Sequence, residues 1–227
     1  MGEIVEFPSN GGTGRAYLAT PGSGAGPGLV VIQEWWGLVP HIEDLCDRFA
    51  AQGFTALAPD LYHGETASEP DEAGKLMMAL NLDQAAKDMG GAVDLLLGSD
   101  AVRGEGVGVT GFCMGGGLAL KLAVQRAGDV KACVPFYGII PWEGATPDWS
   151  PLQAPVQGHF ALQDGFFTPE KVRELEATLQ GLGKSVELFF YDADHAFFND
   201  TRPEVYDPEA SHQAWERTLD FLRMHTG

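Results

Sequence analysis

The sequence predicts an α/β protein: one mostly parallel central sheet with helices on both faces. Three observations carry that prediction. Short apolar runs alternate with stretches of helical period along most of the 227 residues. The runs are apolar throughout, as in Leu29-Val30-Val31-Ile32, which is the pattern of strands buried on both faces rather than on one. Turn residues close the elements, so that strand and helix follow one another in the way parallel crossovers require.

The elements follow in order. Ile4 to Phe7 and Arg15 to Ala19 read as an antiparallel edge hairpin around Asn10-Gly11-Gly12. Leu29 to Ile32 is the first buried strand, ended by Gln33-Glu34. Ile42, Leu45, Cys46 and Phe49 fall at helical spacing with charged residues between them, and Gly53 closes that helix. Thr55 to Ala58 is a strand stopped by Pro59-Asp60. The polar stretch Tyr62 to Glu72 reads as surface loop. Helical patterns run from about Asp71 to Leu80 and from Leu82 to Leu97. Val107 to Thr110 is a strand and Met114 to Arg126 a helix. Further strands are Val130 to Phe136, Val156 to Leu162 and Val186 to Tyr191. The last helices are Val172 to Leu182 and Pro208 to His225. No internal repeat or linker interrupts the pattern, so a single domain is expected.

Composition narrows the function. Apolar residues make up 44% of the chain, and no run of about 18 of them occurs, so no membrane span is expected. The net charge of −18 opposes binding to phosphate backbones, and nucleic acid is not an expected partner. The N-terminus lacks the basic-then-apolar pattern of a signal peptide, and the three scattered cysteines form no framework. A cytoplasmic protein with reduced thiols is expected. No metal or organic cofactor is expected, because Asp192-x-Asp194-His195 alone is a weak metal signal.

The segment V-G-V-T-G-F-C-M-G-G-G-L-A, from Val107 to Ala119, holds the first chemical signal. Gly106-x-Gly108-x-x-Gly111 matches the letters of a dinucleotide fingerprint but not its context. Its first two glycines flank the strand's own apolar residues, and Gly98 to Gly104 before them is turn-like. Gly111-Phe112-Cys113-Met114-Gly115 fits better as a G-x-nucleophile-x-G elbow with cysteine as nucleophile. Side chains at residues 111 and 115 are expected to collide there, which accounts for glycine at both. The following helix aims its N-terminal N–H groups at the sulfur and favours negative charge on it.

Such a nucleophile needs a base, and the base needs an orienting acid. Of the four histidines after Cys113, His212 and His225 lie in the last helix and His159 in a strand. His195 alone lies in a loop after a strand, where the base belongs. Asp164 follows the preceding strand in Gln163-Asp164-Gly165 and is the expected acid. Asp192 and Asp194 compete, but only across one tight loop. Glu34 ends a buried strand at the same sheet end, with Trp35 and Trp36 beside it as pocket walls. The main-chain N–H groups of Trp35 and Met114 are the expected oxyanion donors.

Together, Q-E-W-W-G, A-P-D-L-Y, G-F-C-M-G-G, D-G-F-F-T-P and D-H-A-F-F-N occur in an order that resembles the dienelactone hydrolase (carboxymethylenebutenolidase) family of the α/β-hydrolase superfamily. The resemblance covers essentially the whole chain. It implies a Cys113–His195–Asp164 triad, an acyl-enzyme, and a small ester or lactone as substrate. It also implies that Glu34 meets the resting thiol and joins in its activation. Family members hold a substrate carboxylate with arginines. Arg202 matches one of these regions; the other region holds only Lys75, Lys87 and Arg103, and Lys75 is the expected substitute. Trp36 and Tyr137 complete the expected substrate-binding set. Met77-Met78 and the aromatic residues equally suit a more apolar ester. Thioester or peptide cleavage on the same fold, or ligand binding without catalysis, are the alternatives. A monomer or weak dimer is expected.

Overall fold

The computed structural model describes residues 2–9 and 11–227. Its elements in chain order are β1 (Glu3–Ser9), β2 (Gly12–Ala19), β3 (Gly26–Ile32), α1 (Pro40–Ala51), β4 (Thr55–Pro59), α2 (Pro70–Ala79) and α3 (Leu82–Leu97). There follow β5 (Val102–Phe112), α4 (Met114–Gln125), β6 (Val130–Phe136), β7 (Val156–Ala161), α5 (Pro169–Gly181), β8 (Val186–Tyr191) and α6 (Pro208–Thr226). The eight strands form one sheet in the order β1-β2-β4-β3-β5-β6-β7-β8. β2 runs antiparallel to both β1 and β4, and all later pairings are parallel. The predicted hairpin is therefore present as β1 and β2, although Asn10 of its turn lies outside the described residues.

The strand order reverses between β3 and β5. From β3 the chain moves through α1 to β4 on one side, and from β5 through α4 to β6 on the other. Right-handed crossovers moving in opposite directions put their helices on opposite faces. α6 joins α1, with the rings of Phe49 and Trp215 4.6 Å apart. α3 joins α4, where Arg126 Nη1 donates to Gly90 O at 2.9 Å. The central strands are buried on both faces: β4 and the stretch from Leu29 to Ile32 have every residue buried. The uniformly apolar runs of the sequence reflect that double coverage.

Four helices, α1, α2, α5 and α6, start with proline at the first turn. Proline loses nothing there, because its missing N–H would have no partner in the helix. For α5 this moves the start to Pro169, ahead of the predicted Val172. Asn81 caps α3 by accepting from the N–H groups of Asp83 and Gln84, each at 3.1 Å. Asp207 caps α6 through Ala210 N–H at 2.9 Å.

Two other predictions need correction. β5 begins at Val102, so Gly98 to Gly104 is not all turn, and Arg103 lies in the strand. Arg103, Gly104 and Glu105 in the early half of β5 are exposed, so that half lacks the apolar run that marks a buried strand. The stretch from Tyr62 to Glu72 is not all surface. Tyr62 is buried, and its hydroxyl reaches the sulfur of Met114 at 3.4 Å.

Candidate active site

In an open α/β sheet the crevice forms beyond the carboxyl ends of strands, where the order reverses. Here that crevice lies between the ends of β3 and β5, which deliver Glu34 and Cys113. Cys113 stands at the N-cap of α4 with φ 54° and ψ −122°. A left-handed φ is uncommon for a residue with a side chain and is held by its surroundings. Cys113 N–H donates to Phe136 O at 3.0 Å, and Cys113 O accepts from Gly116 N–H at 2.9 Å.

The glycines are required by close approach, but not through the contact expected. A side chain at residue 111 would fall onto the carbonyl of Gly115. One at residue 115 would instead fall onto the carbonyls of Ile32 and Gln33 at the end of β3. The elbow is pressed against the neighbouring strand as well as folded on itself.

β7 and β8 supply the other two groups. Their loops are stitched together: Leu162 N–H donates to Tyr191 O at 2.8 Å and Gln163 N–H to Ala193 O at 3.1 Å. Asp164 Oδ1 accepts from the N–H groups of Phe166 at 2.7 Å and Phe167 at 2.9 Å. Its Oδ2 lies 2.7 Å from His195 Nδ1, and His195 Nε2 lies 3.3 Å from Cys113 Sγ. Asp192, one of the competitors, is engaged elsewhere, accepting from Gln163 Nε2 at 2.9 Å.

The electrostatics follow from these contacts. Burial alone pulls the His195 imidazole down, but the hydrogen bonds to Asp164 and Cys113 and the charges of both outweigh it, and its pKa is raised to about 10. For Asp164, burial pushes upward, and the His195 hydrogen bond and charge, with the two N–H donors, bring it below the ordinary carboxylate value. The pair thus favours an imidazolium held between a carboxylate and a sulfur. The rings of Tyr137, Phe166 and Phe167 surround the imidazole at 5.3, 5.4 and 5.8 Å.

A cavity of about 430 Å³ opens over these groups. Cys113, His195, Glu34, Trp35, Trp36 and Arg202 all line it, as the sequence led one to expect. Arg202 lies 5.6 Å from the Trp36 ring and is paired with Glu204 at 2.7 Å. Three expectations are not met. Lys75 is exposed on α2 and does not line the cavity; the lysine that does is Lys171, in the first turn of α5. Tyr137 is wholly buried beneath the site and does not line it either. Its hydroxyl donates to Glu34 Oε1 at 3.4 Å. Glu34 does not bond the thiol, since its Oε2 accepts from Asn199 Nδ2 at 2.9 Å and the sulfur faces His195.

Besides Lys171, the sequence reasoning missed Asn199. Its side chain holds Glu34, and its Oδ1 accepts from Thr201 Oγ1 at 2.6 Å. It is the last residue of the D-H-A-F-F-N stretch, and that proximity to His195 was the available signal. No group of three or more His, Cys, Asp or Glu side chains among the described residues has the arrangement of a metal site. No described helix is long and apolar enough to cross a membrane.

A sharp strand-to-helix elbow carrying Cys113 at the strand-order reversal of this sheet defines an α/β-hydrolase. Within that class the chain belongs to the dienelactone hydrolase family, whose sequence profile matches residues 15–226. It is 38% identical to "Protein usf" of Aquifex pyrophilus, over 98% of both chains. It is 32% identical to the carboxymethylenebutenolidase of Pseudomonas sp. strain P51, over 94% of this chain and 91% of that one. A crystal structure of a "putative dienelactone hydrolase" from Klebsiella pneumoniae superimposes with a TM-score of 0.88 at 28% identity, covering 99% of both chains.

Proposed function

We propose that this protein hydrolyses small carboxylic esters or lactones through a cysteine acyl-enzyme, with Cys113 as nucleophile, His195 as proton carrier and Asp164 as its orienting acid. The observation that carries the reading is the continuous line from Asp164 Oδ2 through both nitrogens of His195 to Cys113 Sγ, at 2.7 and 3.3 Å. The carbonyl carbon is attacked by the sulfur while the imidazolium proton waits on Nε2. Main-chain N–H groups of Trp35 and Met114 receive the developing oxyanion. Collapse breaks the C–O bond and leaves a thioester on Cys113. The departing alkoxide takes the Nε2 proton and leaves as the alcohol, or stays tethered to the acyl group when the substrate is a lactone. Water then attacks the thioester, His195 Nε2 accepts its proton, and the carboxylic acid is released with the thiolate–imidazolium pair restored.

Asp164 acts by holding Nδ1–H, which fixes the imidazole so that Nε2 faces the sulfur. Glu34 is the remaining carboxylate lining the cavity, and the reading gives it a part in activation once substrate displaces it from Asn199. The cavity volume suits a small acyl group, and its lining, rich in tryptophan, isoleucine and phenylalanine, suits an apolar one. The reading requires no metal or cofactor. Three buried, unpaired cysteines are in keeping with a reducing cytoplasm.

Mass spectrometry after brief exposure to a panel of esters and lactones tests the proposal. An acyl adduct on the peptide containing Cys113, lost with time in water, is expected. Turnover with the adduct on another residue, or no turnover at all, overturns it.

A further inference from the structure

A second cleft, of about 330 Å³, adjoins the active-site cavity and shares Trp36, Pro70 and Arg202 with it as walls. His41, at the start of α1, lines this cleft and is only 4% exposed. Neither ring nitrogen of His41 has a hydrogen-bond partner among the described residues. Buried polar groups without partners are costly and rare, so the unmet capacity marks a place where something binds.

The surroundings say what kind of group that is. Asp200 Oδ1 lies 3.6 Å from His41 Nδ1, too far for a hydrogen bond. A neutral imidazole donates from one ring nitrogen and accepts at the other, so the unpartnered ring can serve a group that does both. Ser68 and Arg202 lie across the cleft. Arg202 spends Nε and Nη2 on Glu204, which leaves Nη1 to donate. The cleft therefore offers an acceptor and donors together, against a tryptophan wall. Its charges are already matched, Arg202 by Glu204 and Asp200 by Arg48 at 3.4 Å. An anion entering would meet the Glu204 carboxylate, and a cation would meet Arg202. A hydroxyl, which both donates and accepts, fits all of these groups.

The cleft meets the active-site cavity at Trp36, Pro70 and Arg202. The wall from Asn199 to Glu204 continues the loop that carries His195. A departing alkoxide must leave on the side of His195 to collect the Nε2 proton. We propose that this cleft is a subsite for the alcohol part of the substrate, and that it selects esters of polyhydroxylated, uncharged alcohols through His41, Ser68 and Arg202. The inference rests on the ester-hydrolase reading above and narrows it.

The test compares ethyl and 2,3-dihydroxypropyl esters of one short acyl group. In the wild type kcat/KM for the dihydroxypropyl ester should exceed that for the ethyl ester by about tenfold, the effect of one satisfied buried acceptor. His41→Phe should bring that ratio to about one, and Ser68→Ala should lower it part of the way. Should His41→Phe fail to fold, Ser68→Ala, on the exposed rim, carries the comparison alone. A wild-type ratio near one, or a ratio unchanged in the variants, overturns the subsite while leaving the hydrolase reading intact. If the wild type cleaves neither ester, the hydrolase reading falls, and the subsite falls with it.

Discussion

His195 Nδ1 lies 2.7 Å from Asp164 Oδ2 across 31 sequence positions, while Asp192, in the same loop as His195, is turned to Gln163. The partner is selected by the pairing of β7 with β8, not by nearness in the chain. Both loops leave the carboxyl ends of adjacent parallel strands, and main-chain bonds between them fix their separation.

Asp164→Asn should therefore lower kcat by about 10²- to 10⁴-fold with little change in KM, because the amide cannot hold the imidazole in the right tautomer. It also removes the carboxylate that helps raise His195. Alkylation of Cys113 by iodoacetamide, followed across pH, should show the imidazolium-linked transition moving from about 10 toward the ordinary histidine value. An unchanged profile would count against the Asp164–His195 linkage.

Cys113→Ala should abolish measurable ester hydrolysis, a loss on the order of 10³-fold or more, with the fold retained. Circular dichroism should match the wild type, since main-chain bonds to Phe136 and Gly116 hold the backbone at residue 113. Cys113→Ser should also be poorly active, because a hydroxyl gains far less than a thiol from the same imidazole.

Asn199→Leu should uncouple Glu34. The carboxylate is buried, and losing its Nδ2–H donor leaves Oε2 without a partner. A cost of about 1 to 3 kcal/mol is expected in urea unfolding at neutral pH. Asn199→Asp, which sets a second carboxylate against Glu34, should cost more and recover as the pH is lowered.

Acid should destabilise the protein through His159. Its imidazole is wholly buried in β7 between Tyr191 Oη at 2.9 Å and Thr218 Oγ1 at 3.0 Å. Burial, with the nearby Arg217 charge, depresses its pKa from 6.5 to about 3. The unfolded chain then binds the proton first, so stability is intact above pH 6.5 and falls as the pH drops toward 3. This group alone should cost about 2 kcal/mol at pH 5 relative to pH 7. Urea midpoints at the two values measure it, and His159→Gln should flatten the difference. His195 works in the other direction: its raised pKa gives stability that is full below 6.5 and is lost as the pH climbs through about 10.

Gly111→Ala should prevent normal folding or cost about 3 kcal/mol, because the added carbon would meet main chain at Gly115 and not a movable side chain. Gly128→Ala, where nothing lies within contact, is the control and should change the thermal midpoint little.

Much of the site was readable along the chain, and for particular reasons. The elbow is local: strand, cysteine, glycines and helix are consecutive, so their spacing alone implies the turn. His195 and Asp164 were legible because an α/β sheet sends the loops after its strands to one end. Lys75 was misplaced because helical period gives a helix but not its distance from the cavity. Lys171 escaped notice because α5 starts at Pro169, and only that start puts residue 171 in the first turn facing the cavity. Tyr137 reads as a pocket aromatic by position, yet its ring turns beneath His195 and Phe197.

The sequence by itself determined the strand–helix alternation, the elbow at Cys113 and the loops that carry His195 and Asp164, since each depends on contacts within a short segment or on a rule common to parallel sheets. Only the tertiary structure decided what Glu34 touches, which cations reach the cavity and that His41 faces a second cleft. Those facts depend on the directions of side chains brought together from β3, α1, α5 and the loop after β8. Local propensity carries no information about such directions, because they are fixed by packing across the sheet.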